Sequence, residues 1–214
     1  PRFQSRHTST PFNSASDAFR LHPDVVARWT LDPKPHEAYG LAKSMIRDNG
    51  PGVLLLPVKL MKTRGPCEVD NFLPLHKATL QHEASAASIA AGKAVTVLTY
   101  LHGTKESEDA IETLTAEGYD VDLIELTCLK PFDKETIQAS LARTHKLAIL
   151  DESTRSGGVG ATFSALVSEE LFDELDAPVR RLCMEDAPVP YATEMERVMV
   201  KRAADLVEGV KSMC

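Results

Sequence analysis

Long hydrophobic runs are missing from this chain, and no apolar stretch approaches the ~20 residues that a helix needs to span a bilayer. The sequence therefore predicts no membrane segment. A basic surplus is missing too: 24 lysines and arginines face 31 acidic residues, a formal charge of -7. Nucleic-acid binders need a basic face to neutralise phosphates, so that class is excluded, while a basic protein partner stays compatible. Cysteine is sparse. Cys67, Cys128, Cys183 and Cys214 form no Cys-x-x-Cys pair and have no histidine at metal-ligand spacing. That reads as reduced thiols of a cytosol, matrix or stroma rather than a disulfide frame. The histidines at 7, 22, 36, 76, 82, 102 and 145 show no paired ligand spacing, and no Gly-x-Ser-x-Gly elbow is present. Pro1-Arg2-Phe3-Gln4 holds neither an initiator methionine nor a signal-peptide core, which reads as a processed or truncated start, or as part of something longer.

What is present is an ordinary globular balance, 43% hydrophobic and 26% charged, in 214 residues, enough for one large domain or two small ones. The organising stretch runs from Lys146 to Phe172. Its apolar run Leu147-Ala148-Ile149-Leu150 stops at Asp151-Glu152, and a loop with Gly157, Gly158 and Gly160 follows. Phe163, Leu166, Val167 and Leu171 then recur at helical spacing. Strand, glycine loop and helix make half of a βαβ unit. Gly-Gly-Val-Gly matches neither the dinucleotide fingerprint nor the phosphate loop, so the glycines read as a tight turn and a close backbone approach, with a phosphate cradle as the alternative. Asp151 and Glu152 stand where α/β folds place their ligands. Such a pair either does acid–base work or caps the next loop.

Taken in order, residues 1–18 read as a polar arm. Val25 to Trp29 reads as a strand, His36 to Asp48 as a helix with Ala38, Leu41, Ala42, Met45 and Ile46 on one face, and Val53 to Leu56 as a buried strand. A connector with Pro57, Pro66 and Pro74 follows, and its Glu83–Gly92 piece is either a short helix or an insertion. From Ala94 apolar runs at Val95–Tyr100, Val121–Leu126, Leu147–Leu150 and Val179–Met184 alternate with helical patterns. These helices lie near Lys105–Glu117, after the capping Asp133, after Gly160, and over Glu194–Lys211. The fold class is α/β, a mostly parallel sheet with helices on both faces. The domain reading is 1–60, linker 61–93, and 94–214. Glu185–Tyr191 is a proline-stiffened loop whose Tyr191 is either buried with its hydroxyl paired or set at an interface.

GKAVTVLTY, LTCLKPFDKETI, THKLAILDESTRSGGVGA, LDAPVRRLC and DAPVPYA resemble, in order and spacing, the carboxyl-terminal domain of a transketolase-like beta subunit, that of the decarboxylating component of pyruvate dehydrogenase, in its plastid and cyanobacterial form. Residues 23–60 resemble the end of that family's pyrimidine-binding domain. The resemblance implies several partners: an alpha subunit, a second beta subunit and the dihydrolipoyl acyltransferase. It also implies a plastid stroma, with mitochondrial matrix or bacterial cytoplasm as alternatives. Thiamine diphosphate is then held by the complex, not by this chain alone. No catalytic or thiamine-binding residue is carried over, because Pro11, Phe12 and Asn13 stand at the family's His-Ser-Gln element and Leu56 at an acidic position. Carried over by the resemblance are a potassium site of backbone carbonyls at Met45, Asp48 and Gly50, and an acyltransferase-docking site at Asp176 and Cys214. For Asp176 a turn-capping role is the alternative. The competing function is a catalytically degenerate paralogue that serves as a structural subunit.

Overall fold

The computed structural model describes residues 26–29, 35–50, 52–55, 62, 64–68 and 70–214. The arm with Pro11, Phe12 and Asn13, and also Leu56, lie outside the described residues. Strand β1 (Val26–Trp29), helix α1 (Pro35–Arg47) and strand β2 (Gly52–Leu55) follow one another, and the two strands pair in parallel. This is the β-α-β unit read from the sequence. The helix buries Leu41, whereas Ile46, which the spacing puts on the same face, is 82% exposed.

The second sheet has five strands: β3 (Thr79–His82), β4 (Ala94–Thr99), β5 (Asp120–Glu125), β6 (Leu147–Thr154) and β7 (Arg180–Met184). Their order is β3-β5-β4-β6-β7, and every pairing is parallel except β3 with β5. The connecting helices are α2 (Ala86–Ala90), α3 (His102–Ala116), α4 (Lys134–Thr144), α5 (Val159–Glu170), α6 (Thr193–Met199) and α7 (Ala203–Lys211). Because side chains alternate along a strand, the buried strands feed two cores. Val95, Val97, Val121, Leu123, Ala148 and Leu150 meet Ala110 and Leu114 of α3 and Leu206 and Val210 of α7. On the opposite face, Leu98, Tyr100, Ile124, Leu147 and Ile149 meet Ile137 and Leu141 of α4 and Phe163 and Val167 of α5.

Two elements depart from the sequence reading. The stretch read as a connector supplies β3, an antiparallel edge strand. Three of its four residues are polar, its one apolar residue, Leu80, is exposed, and there is no apolar alternation. Long-range bonds hold it instead: Gln81 Nε2 donates to Glu125 at 2.8 Å, and His82 Nε2 lies 2.8 Å from Asp120 Oδ1. The helix read at Glu194–Lys211 is two helices, with Val200 and Arg202 in extended conformations between them. The cause is Glu106 on α3. Its carboxylate accepts from Ala203 N at 3.0 Å and from the Arg202 guanidinium at 2.8 Å, while Asp205 accepts from Arg202 N at 2.9 Å. A new helix therefore starts at Ala203, satisfied by side chains rather than by the preceding turn.

Asp133, read from the sequence as a cap, does more than start α4. It accepts from Thr136 N at 3.2 Å and Thr136 Oγ1 at 2.6 Å, and also from Ala78 N at 3.0 Å, so it binds the β3 entry to the helix. Burial alone raises its carboxyl, but the Thr136 and Ala78 donors and the Lys77 ammonium outweigh that and hold it below the usual carboxylate range. Asp120 is lowered in the same way: burial opposes, and Ser85 N, His82 and Val121 N prevail. A carboxyl depressed in the folded state stabilises fully above its unfolded pKa of ~3.9, and this contribution is lost as pH falls through the lower folded value. Thermal unfolding followed by circular dichroism is expected to show a melting temperature that drops below about pH 4, with a shallower drop in Asp133→Asn. An unchanged slope in that variant would show that Asp133 is not among the acid-sensitive groups.

Candidate functional site

The chain leaves β4 for β5 on one side and reaches β6 on the other side of β4. The crevice between the carboxyl ends of β4 and β6 is thus the topological switch point, where open α/β sheets take their ligands. Tyr100 directly follows β4 there and Asp151 projects from β6. The Asp151 carboxyl accepts the Tyr100 hydroxyl, Ser153 N at 2.8 Å, Ser153 Oγ at 2.5 Å and Gly160 N at 2.7 Å. Burial, and after it the adjacent Asp151 carboxylate, push the Tyr100 phenol well above its usual range, so the hydroxyl keeps its proton and donates. Asp151 thus caps the glycine loop, and it occupies the position a phosphate would take at the amino terminus of α5. The glycines are small for the reason read from the sequence: a Cβ at Gly160 would lie 2.7 Å from Asp151 Oδ2, and one at Gly158 would fall on Ser153 and the Thr154 carbonyl. An anionic diphosphate does not fit a loop whose amide already faces a carboxylate.

The same loop is tied outward. Ser156 donates through its N–H at 2.7 Å and its hydroxyl at 2.5 Å to Asp186. Those donors hold the Asp186 carboxyl below the usual range. The proline-stiffened segment Glu185–Tyr191 is therefore fixed against the glycine loop, and Tyr191 is 94% exposed, which removes its buried alternative.

Asp176 and Cys214 lie at the opposite, amino end of the parallel strands. Asp176 N donates to His145 O at 2.8 Å, and Cys214 Sγ lies 3.6 Å from Lys146 Nζ. Residues 38 apart in sequence thus both anchor on the α4–β6 junction. His145 makes that junction possible by taking a left-handed conformation, φ 56°, as the cap of α4. Asp176 is exposed, and among the described residues no donor reaches its carboxylate, so it does not cap its turn. Met45, Asp48 and Gly50 sit at the exposed carboxyl terminus of α1, where Met45 O already accepts from Asp48 N at 3.2 Å. Three carbonyls on one open turn supply only part of the oxygen shell that replaces a potassium ion's water. Among the described residues no cluster of His, Cys, Asp and Glu is arranged to hold a metal, and no helix is long and apolar enough to cross a membrane. Sequence reasoning missed the groove beside Asp176, lined by Phe172 and Leu175 among others. The signal for it was Phe172 directly after a helical apolar stripe that ends at Leu171.

These observations define an α/β module whose strand-end crevice holds the bonded Tyr100, Asp151 and Gly160 and whose exposed acidic face, with Glu169, Asp173 and Asp176 unpaired among the described residues, lies at the other end. Residues 84–205 match the model of the transketolase C-terminal domain, and the chain belongs to that family. It is 37% identical over 180 residues to the pyruvate dehydrogenase E1 component subunit beta of Porphyra purpurea, covering 84% of this chain and 52% of that protein. To the chloroplastic subunit beta-2 of Arabidopsis thaliana it is 36% identical over 182 residues, covering 84% of this chain and 43% of the relative. The chain thus spans about half the length of the curated relatives it matches. A solved chain described as a split gene transketolase, inactive beta4 tetramer, shares the fold with a TM-score of 0.71 at 22% identity, covering 91% of this chain and 59% of that one.

Proposed function

We propose that this chain forms the carboxyl-terminal part of a pyruvate dehydrogenase beta subunit and serves as an assembly and docking module for that complex. The relatives' names and the parallel sheet support the assignment. The self-filled crevice at Asp151 supports placing the thiamine diphosphate and its proton-transfer groups elsewhere, with an alpha subunit and the pyrimidine-binding portion of a beta subunit. A second beta subunit completes the assembly. Two Arabidopsis relatives are named chloroplastic, which supports a plastid stroma as the compartment. The division at 1–60, 61–93 and 94–214 is proposed with this reading, the middle segment lending β3 to the second sheet.

The observation that carries the docking reading is the Asp176 carboxylate, exposed, without a partner among the described residues, and on the same junction as Cys214. A basic group of the dihydrolipoyl acyltransferase can form a charge-assisted hydrogen bond there. Asp176→Asn in the full chain is expected to weaken binding to the acyltransferase's subunit-binding domain about tenfold, roughly 1.4 kcal/mol, by isothermal titration calorimetry. The deficit shrinks as salt screens the pair, and the melting temperature stays put. Equal affinity of the two proteins at low salt would remove Asp176 from the docking site.

A further inference from the structure

Beside Asp176 lies an open groove of about 540 Å³, lined by Ser164 and Ser168 of α5, by Phe172 and Leu175, by Asp176 itself, and by Val179. Leu175 and Val179 are half-buried against the core under α5, so the floor is apolar. Phe172 stands at the edge, 69% exposed. Its backbone is fixed by a short turn in which Leu175 N donates to Phe172 O at 3.0 Å and Glu174 N to Leu171 O at 3.1 Å. The rim is acidic. Glu169, Asp173 and Asp176 have no hydrogen-bond or ion-pair partner among the described residues, Glu170 accepts from Lys134 at 2.7 Å, and Glu174 accepts from Gln138 at 3.4 Å. Lys134 is thereby engaged, and Arg180 follows Val179 of the lining in the chain.

An apolar floor, one preorganised exposed aromatic and a surplus of unpaired carboxylates favour a ligand that is apolar at its tip and basic around it. We propose that this groove receives a bulky apolar side chain from a basic polypeptide segment of the docking partner, with Phe172 as its anchor and Asp176 as the charge at its edge. The inference rests on the docking reading above and adds an apolar half to it. Aromatic residues in the desolvated centre of an interface carry far more binding energy than charges at its rim. A side chain held on a fixed turn also loses little freedom when it is covered.

The experiment titrates the acyltransferase's subunit-binding domain into the full chain and its Phe172→Ala, Phe172→Leu and Asp176→Asn variants, at low and at high salt. Phe172→Ala is expected to weaken binding about 10- to 100-fold at both salt concentrations, Phe172→Leu to restore most of it, and Asp176→Asn to show a deficit confined to low salt. Weakening by Asp176→Asn with no change in Phe172→Ala overturns the groove and leaves the docking reading standing. No change in either variant overturns both. A melting temperature lowered in Phe172→Ala, or a change in its sedimentation mass, assigns the groove to the chain's own residues or to a second copy, and equally overturns the proposal.

Discussion

Asp151→Ala is expected to destabilise the folded chain by about 3–5 kcal/mol, the range for removing one partner of a buried charged network. Asp151 is 2% exposed, and its carboxyl group is the shared acceptor for the Tyr100 hydroxyl, both Ser153 donors and the Gly160 amide. Alanine takes this acceptor from all four donors, and each buried group left orphaned costs about 1–3 kcal/mol, less whatever a neighbouring side chain or an entering water recovers. Tyr100→Phe removes one donor and leaves the other three in place, so its cost is expected to be about 1 kcal/mol. The two variants touch one network, and their double mutant should be less destabilised than the sum of the singles. Chemical denaturation read as midpoint and slope checks all three. A shift below about 1 kcal/mol for Asp151→Ala would show that the carboxyl does not hold the crevice closed.

That crevice explains why the fold was more legible than the site. Strands β4 to β6 are buried on both faces, so Val95–Thr99, Val121–Ile124 and Leu147–Leu150 are nearly unbroken apolar runs, and short connections imposed the parallel order. Asp151 was visible as a carboxylate at a strand end, with the capping role as one of two readings. Choosing between them required Tyr100, 51 residues away, to arrive on the neighbouring strand. β3 was illegible because nothing in Thr79-Leu80-Gln81-His82 is apolar in alternation. Its stability comes from Glu125, Asp120 and Asp133, all contributed by later segments. The break at Val200 was hidden for the same reason, since the residue that starts α7 is Glu106 on α3. Asp176 and Cys214 entered through a family likeness. Only the folded chain puts them on adjacent residues of one junction, and only the fold reveals the groove between α5 and β7.

The two ends of the sheet accordingly have different roles. At the carboxyl end, backbone and side-chain donors converge on a carboxyl supplied by the protein itself, and Asp186 fastens the next loop over it through Ser156. At the amino end, Glu169, Asp173 and Asp176 are exposed with no such donors among the described residues, and an aromatic ring stands outside the core. Groups buried and fully bonded contribute to the fold. Charged groups left unpaired beside apolar surface contribute little to stability and are better placed to contribute to recognition.

Phe163→Ala is expected to be the other large loss, about 3–5 kcal/mol, the usual range for deleting a buried phenyl ring. Phe163 is fully buried on α5, in the cluster shared with Leu98, Ile149, Ile137 and Leu141. Its ring meets Phe132 edge-on, centroids 5.7 Å apart and planes at 73°, a geometry worth about 0.5–1.5 kcal/mol beyond area burial. The helix cannot shift inward to refill the space, because its first turn is fixed by the Asp151–Gly160 bond and a Cβ-sized gap at Gly160 is already closed. A retained cavity is what takes such substitutions to the upper end of their range. Phe163→Leu keeps most of the volume and is expected to lose about half as much. For a chain of this size the alanine variant's melting temperature is expected to fall by about 6–20 °C, at 2–4 °C per kcal/mol. Because Phe163 and the Phe172 groove lie on one short helical stretch, hydrogen exchange adds a further check. If Phe163→Ala raises exchange along α5 while the Asp151 crevice stays protected, α5 opens as a separate unit, and the cost of the substitution is local rather than global.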